Sequence, residues 1–237
     1  MAKGKNGKEI IKRNNDYINN QTEIKNMVEV IAQNHFEVNT YILYDETKEC
    51  VLVDVCSQSE REMQQIKDFV SKNGLTVKHI LLTHPHIDHL CGAEFACETF
   101  GLPLTLSADG VELLQTSTWQ AAAMGFKPLN IDAIKLNAIV ADEEIKFGNS
   151  TLKAIECSGH CPGSLAYYNE AEGYIITGDA LFAQSIGRTD LQGGDLDLLL
   201  RNIKENILSL ADTTIVYPGH GPQTTVEDEK KYNPFLA

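Results

Sequence analysis

Three histidines and one aspartate fall between positions 84 and 89, in the segment Thr83-His84-Pro85-His86-Ile87-Asp88-His89. Neutral imidazole and carboxylate are the usual ligands of zinc and of borderline transition metals. Side-chain packing gives no reason to crowd them together. On an extended chain, residues two apart point the same way, so His84 and His86 can address one ion. Asp88 and His89 come where the chain turns toward a helix, and can address a neighbouring position. The competing reading of the segment is a solvated polar loop after a strand. Three further places each offer one ligand type beside glycine: Ser158-Gly159-His160, Gly178-Asp179 and Pro218-Gly219-His220-Gly221-Pro222. Glycine lets backbone approach closely. A lone histidine or aspartate at such a position is usually structural or merely exposed; the set points to metal.

These residues need rigid elements behind them. Residues 77–83 read as a buried strand, because Ile80-Leu81-Leu82 is continuously apolar. The histidine segment therefore leaves a strand end. Strands at residues 151–156, 165–169, 174–177 and 214–217 place His160, Asp179 and His220 near strand ends as well. Upstream, residues 27–31, 37–44 and 50–54 read as strands, the middle one rich in β-branched and aromatic residues. Residues 59–71 form an amphipathic helix with Met63, Ile66 and Val70 on one face, ended by Asn73-Gly74. Residues 92–100 and 110–124 read as helices flanking a short strand at 103–106. Residues 196–210 read as a helix carrying Leu199, Ile203, Ile207 and Leu210. Strands mixed with flanking helices imply sheet packed between helical layers.

The order Thr-His-x-His-x-Asp-His, Gly-His, Gly-Asp, Gly-His resembles the metallo-β-lactamase superfamily, from about residue 26 onward. It looks closest to the compact glyoxalase II-like hydrolases. The resemblance is also carried by Val38-Asn39-Thr40-Tyr41-Ile42-Leu43, Gly178-Asp179-Ala180-Leu181-Phe182, Ser185-Ile186-Gly187-Arg188-Thr189-Asp190 and Asn233-Pro234-Phe235-Leu236. It implies an α/β fold, the αββα four-layer sandwich of two mixed sheets with helices outside and metals at one edge. It implies that His84, His86 and His160 hold one divalent ion, that Asp88, His89 and His220 hold a second, and that Asp179 bridges them. Zinc is the first expectation, with iron or manganese compatible with the same ligands. Two ions roughly 3.5–4 Å apart can share a hydroxide that attacks a thioester or ester carbonyl, with Asp88 both ligating and orienting it.

The resemblance leaves several branches to weigh. S-lactoylglutathione is a candidate substrate. Most of the C-terminal helical region of true glyoxalase II enzymes is missing here, and their glutathione-contacting Lys and Tyr fall at Arg188 and Asp190. Arg188 can pair with a substrate carboxylate or with Asp190 in the same loop. A mononuclear iron persulfide dioxygenase is the nearest rival, and a lactonase or other esterase a further alternative. A non-catalytic metal-binding protein would not need all seven ligands. Antibiotic β-lactamases of the superfamily usually lack a carboxylate at the position of Asp179, which argues against that activity.

The chain has 237 residues and a formal charge of −13, from 20 basic and 33 acidic side chains. That field repels phosphate backbones, so the expected partner is a small molecule and not nucleic acid. No apolar run suits a membrane span. Residues 1–25 read as a flexible polar lead-in without the apolar core of a signal peptide, followed by a single domain over 26–237. Reduced cysteines and a cytoplasmic location are the default expectation. Cys157 and Cys161 flank His160, where they read as small buried residues in preference to a redox switch. Cys56 follows Asp54 where relatives often read Asp-Pro-Gly, a change near the site. His35 and His79 read as surface or boundary residues, Trp119 as a core residue in preference to a pocket wall, and Glu227 and Glu229 as a solvated helix face.

Overall fold

Alternation along the strands decides which way each sheet faces. In the computed structural model, which describes residues 28–236, β1 (Val28–Gln33), β2 (Val38–Tyr44) and β3 (Glu49–Val53) form an antiparallel meander. The parallel strands β4 (Thr76–Leu81), β5 (Leu104–Ser107) and β6 (Leu136–Ile139) extend it in the order β1-β2-β3-β4-β5-β6. Ile42 and Leu52 point to one side of this sheet, Tyr41, Leu43, Val51 and Val53 to the other.

The second sheet runs β14-β13-β10-β9-β8-β7, built from β7 (Glu144–Phe147), β8 (Ser150–Glu156), β9 (Leu165–Asn169), β10 (Tyr174–Gly178), β13 (Ile215–Pro218) and β14 (Thr224–Thr225). Its pairings are antiparallel except β10 with β13. A two-stranded hairpin, β11 (Leu181–Phe182) and β12 (Ser185–Ile186), follows β10.

Three apolar clusters then define four layers. One, between the sheets, joins Tyr41, Leu43 and Val53 to Leu152, Tyr167 and Tyr217. A second packs α1 (Glu60–Lys72), α3 (Ala93–Phe100) and α4 (Ala108–Ala123) on the first sheet through Ile66, Val70, Ala96 and Leu114. A third packs α5 (Leu196–Asn202) and α6 (Val226–Tyr232) on the second sheet through Leu199 and Val226. The one-turn helix α2 (Ile87–Leu90) begins between β4 and α3 with His86 as its N-cap. The αββα sandwich expected from the sequence is therefore observed.

The expected strands and helices appear with ends shifted by a residue or two. The strand expected to reach position 83 ends at Leu81, so Thr83 through His86 are extended loop. The helix expected over 196–210 is α-helical only to Asn202 and continues as a π-helical turn, Ile203–Ile207; a hydrophobic repeat of four residues fits either winding. Glu229 corrects an expectation: it is fully buried, while Glu227 is exposed. Its carboxylate accepts from the Gln184 backbone at 3.0 Å, Thr224 Oγ1 at 2.7 Å and Asn233 Nδ2 at 2.7 Å, tying α6 to the tip of the β11–β12 hairpin. His35 is exposed and His79 half-buried, as expected. The lead-in over residues 1–25 and the side chain of Trp119 lie outside the described residues.

Candidate metal centre

The seven ligand-type residues converge at one edge of the sandwich, where β4, β8, β10 and β13 end. Three groups of potential ligand atoms lie each within 4.8 Å: His84, His86 and His160; His84, His89 and Asp179; Asp88, His89 and His220. The first and third match the two sets expected from the sequence, and the middle one overlaps both. Asp179 Oδ1 stands 3.2 Å from His89 Nε2, and Oδ2 stands 3.8 Å from His160 Nε2 and 3.5 Å from His220 Nε2. Asp88 Oδ2 lies 3.5 Å from His220 Nε2.

Hydrogen bonds behind the rings decide which nitrogen faces inward. Asp54 is fully buried and accepts from the Thr83 amide (2.7 Å), the Thr83 hydroxyl (2.7 Å) and His89 Nδ1 (2.8 Å). The Thr83 oxygen in turn accepts from His84 Nδ1 at 3.0 Å. His160 Nδ1 donates to the Arg188 carbonyl at 2.7 Å, and His220 Nδ1 to the Phe36 carbonyl at 3.0 Å. Each of these rings therefore turns its Nε2 lone pair toward the centre, the orientation that outer partners impose on metal-binding histidines. His86 presents Nδ1, 2.9 Å from His160 Nε2.

The ligand loops are pinned by residues to which the sequence reading gave no role. Asn34 Nδ2 donates to the Asp88 carbonyl at 2.9 Å, while the Asn34 amide donates to Glu62 at 2.7 Å. Asn39 Nδ2 donates to the carbonyls of Pro218 and Gly221, and the Tyr41 hydroxyl also donates to Pro218, so both flank His220. Asn202 Nδ2 holds the Ser158 carbonyl two residues before His160. Gly219 leaves space that a side chain would take: a Cβ there would strike Asp179 Oδ1 and lie 2.6 Å from His89 Cε1. Asp54 had one visible signal, a carboxylate closing an apolar strand just as Asp179 does, and Asn39 and Tyr41 stood in a stretch that carried the family resemblance; Asn34 and Asn202 had none.

The electrostatics favour positive charge at the centre. Burial holds His84 well below the ordinary imidazole range, pulls His86 down to about 4, and lowers His160. These rings are neutral donors. Burial also works against protonation of His89 and His220, but Asp179 with Asp54 outweighs it at His89, and Asp179 with Asp88 lifts His220 to about 9. Burial pushes the Asp179 carboxyl upward, yet His89 and His220 hold it well below the usual carboxylate range. A divalent ion fits this demand. It also fits three buried atoms that have no hydrogen-bond partner: His84 Nε2, His89 Nε2 and Asp179 Oδ1. Buried polar atoms left unpaired are costly.

Other sequence-singled residues take simpler places. Cys157 and Cys161 are buried, and burial raises both thiols, Cys161 to about 12; small packed residues is the reading this supports. Cys56 is buried beneath the site, its thiol against the Asp54 carbonyl. Arg188 and Asp190 form the loop ion pair weighed from the sequence, Nε to Oδ1 and Nη2 to Oδ2, both 2.7 Å.

The chain belongs to the metallo-beta-lactamase superfamily, whose sequence profile matches residues 34–220. It is similar to hydroxyacylglutathione hydrolase GloC of Haemophilus influenzae, 32% identical over 211 residues, covering 88% of this chain and 97% of that one. The crystal structure of TTHA1623 in a di-iron-bound form shares 30% identity and superposes with a TM-score of 0.77 over 88% of this chain and all of that one. The crystal structure of BLEG-1 B3 metallo-beta-lactamase shares 35% identity, with a TM-score of 0.74 over 89% of this chain and all of that one. Fold, family and the histidine–aspartate cluster together define a metal-dependent hydrolase. Among the described residues, no helix is long and apolar enough to cross a membrane.

Proposed function

We propose that this protein is a two-metal hydrolase of small thioesters or esters, with S-lactoylglutathione as the first candidate substrate. His84, His86 and His160 would hold one divalent ion and Asp88, His89 and His220 the other, with Asp179 placed between the two sets. The observation that carries this is the pair of ligand triads joined by a third that shares His84 and His89 and adds Asp179. The likeness to GloC supports the thioester class. The di-iron form of TTHA1623 supports a paired site and makes iron as good a candidate as zinc.

When bound, the metal pair supplies Lewis-acid activation of water and of the acyl carbonyl. The chain's own residues supply position. Asp54 and the carbonyls of Arg188 and Phe36 fix His89, His160 and His220 so that no ring reorients during reaction. Asp88, which lines the substrate cavity of about 400 Å³, accepts a hydrogen bond from the attacking water and orients it. Phe36, Ile87, Met124 and Leu191 line the same cavity and exclude bulk water from the bond being cleaved.

A second reading, β-lactam hydrolysis, is favoured by one observation: the 35% identity to BLEG-1 B3 metallo-beta-lactamase. It runs against the expectation drawn from Asp179. One panel separates the readings. Purified protein of measured metal content is assayed with S-lactoylglutathione, with a chromogenic cephalosporin, and for oxygen uptake with glutathione persulfide. Thioester turnover that chelation abolishes supports the proposal. Turnover of the cephalosporin alone, or oxygen uptake alone, overturns it.

A further inference from the structure

The cavity in front of the metal centre has a chemical character of its own. Its outer wall is made by Phe36, Met124 and Leu191, with Ile87 beneath. Phe36 and Leu191 are 39% and 38% exposed, so the wall offers apolar surface to whatever enters the cavity. The wall is preformed. Phe36 stacks on Phe126 with ring centres 5.6 Å apart, and His35 lies against both at 4.5 and 4.8 Å. His35 is itself held between Gln58 Oε1 and the Met124 carbonyl. The Phe36 carbonyl accepts from His220 Nδ1, which ties the wall directly to a candidate ligand.

Among the described residues that line the cavity, the only lysine or arginine is Arg188. Its guanidinium is engaged through two 2.7 Å bonds by Asp190. The other ionisable groups facing the cavity are the carboxylates Asp88 and Asp179 and the imidazoles of His86, His160 and His220. A substrate group that reaches the wall thus meets apolar surface and a neutralised cation.

We propose that this cavity selects an apolar, uncharged acyl group, and that Asp190 is a specificity-determining residue that keeps Arg188 from a substrate carboxylate. The inference rests on the hydrolase reading above and, within it, ranks thioesters and esters of apolar acyl groups above the hydroxylated lactoyl group of S-lactoylglutathione. Each methylene buried against the wall raises kcat/KM about fourfold. Freeing Arg188 from its exposed partner changes the ranking of carboxylate-bearing substrates about fivefold.

Two measurements on the metal-loaded protein test this. The first is hydrolysis of the 4-nitrophenyl esters of acetate, butyrate and hexanoate, against the 4-nitrophenyl monoester of adipate. The second is calorimetric binding of acetohydroxamic, hexanohydroxamic and adipic monohydroxamic acids, which needs no turnover. The expected result is a rise with chain length in both series, with the adipate member behind its hexanoate counterpart. Asp190→Asn should narrow that gap about fivefold, and the double variant with Arg188→Gln should restore it. If no ester turns over but the hydroxamates keep this order, the ester arm of the hydrolase reading fails and the selectivity stands. Turnover with a flat length profile, hydroxamates that do not bind, or a wild-type preference for adipate would overturn the selectivity. An unchanged gap in D190N would remove Asp190 from it.

Discussion

Replacing Asp54 by asparagine should empty or weaken the metal centre although Asp54 is not itself a candidate ligand. The side chain is fully buried and its Oδ2 accepts from both the Thr83 hydroxyl and His89 Nδ1. Asparagine has the same shape and tolerates the left-handed backbone at this position, φ 51°. Its oxygen can still accept from the Thr83 amide, now 2.7 Å from Oδ1. The amide nitrogen then occupies the place of Oδ2 and offers protons where the wild type accepts them. His89 must shed its Nδ1 proton and carry it on Nε2, the nitrogen that faces Asp179. In that tautomer Nε2, the nitrogen that faces the centre, has no lone pair to give a metal. Loss of such an outer partner weakens metal binding by about 10–100-fold, or about 1.4–2.8 kcal/mol. The Thr83 hydroxyl loses its acceptor too, so the chain His84–Thr83–Asp54 slackens and His84 is expected to follow. The assay is competition against a chromophoric chelator, with elemental analysis and circular dichroism on the same sample. A folded D54N protein that holds metal as tightly as wild type would refute the reasoning.

Three other perturbations follow from the geometry. Gly219→Ala puts a Cβ into Asp179 Oδ1 and the His89 ring, and should weaken metal binding at least about tenfold, read by the same competition. Glu229→Ala strands the Gln184 amide and the donors on Thr224 and Asn233; denaturant titration should show a loss of about 2–4 kcal/mol, with Glu229→Gln recovering part. Glu62 caps α1 through Ser59 and also accepts from the amides of Asn34 and Gln58. Burial acts to raise its carboxyl, but these amides outweigh it and hold the group below its reference value of 4.5. A depressed folded-state value stabilises above the unfolded one and is lost as pH falls through the folded one. Glu62→Gln should therefore cost about 1 kcal/mol near neutrality, a difference that denaturant titration should find shrinking as the solution is acidified through the carboxylate range.

The candidate ligands were legible because each stands in a local pattern: histidines two apart after an apolar strand, and glycine beside His160, Asp179 and His220. What fixes their tautomers was not. Asp54 meets Thr83 and His89 across 29 and 35 residues of sequence, and Asn34 meets Asp88 across 54. The first two depend on how β3 and β4 lie side by side and the third on where the β1–β2 turn meets the Ile87–Leu90 helix, which no local spacing reports. The interior strands showed through their β-branched and aromatic runs, as at Val38–Tyr44. β6 and β7 were missed because each has four residues at a sheet edge; β7 alternates exposed glutamate and lysine with buried Ile145 and Phe147. Glu229 was misjudged because a glutamate on an acidic, lysine-bearing helix reads as solvated unless the hairpin tip it supports is known.

The central claim is that one bridging carboxylate organises a paired metal site. Its most direct test is the metal content and chelator-sensitive thioester turnover of the wild type against Asp179→Ala, each confirmed folded. About two divalent ions per chain in the wild type, with at least one lost and turnover abolished in the variant, is the result expected. A variant that keeps the wild-type metal content and rate would contradict the assignment of Asp179 and the two-metal site built on it.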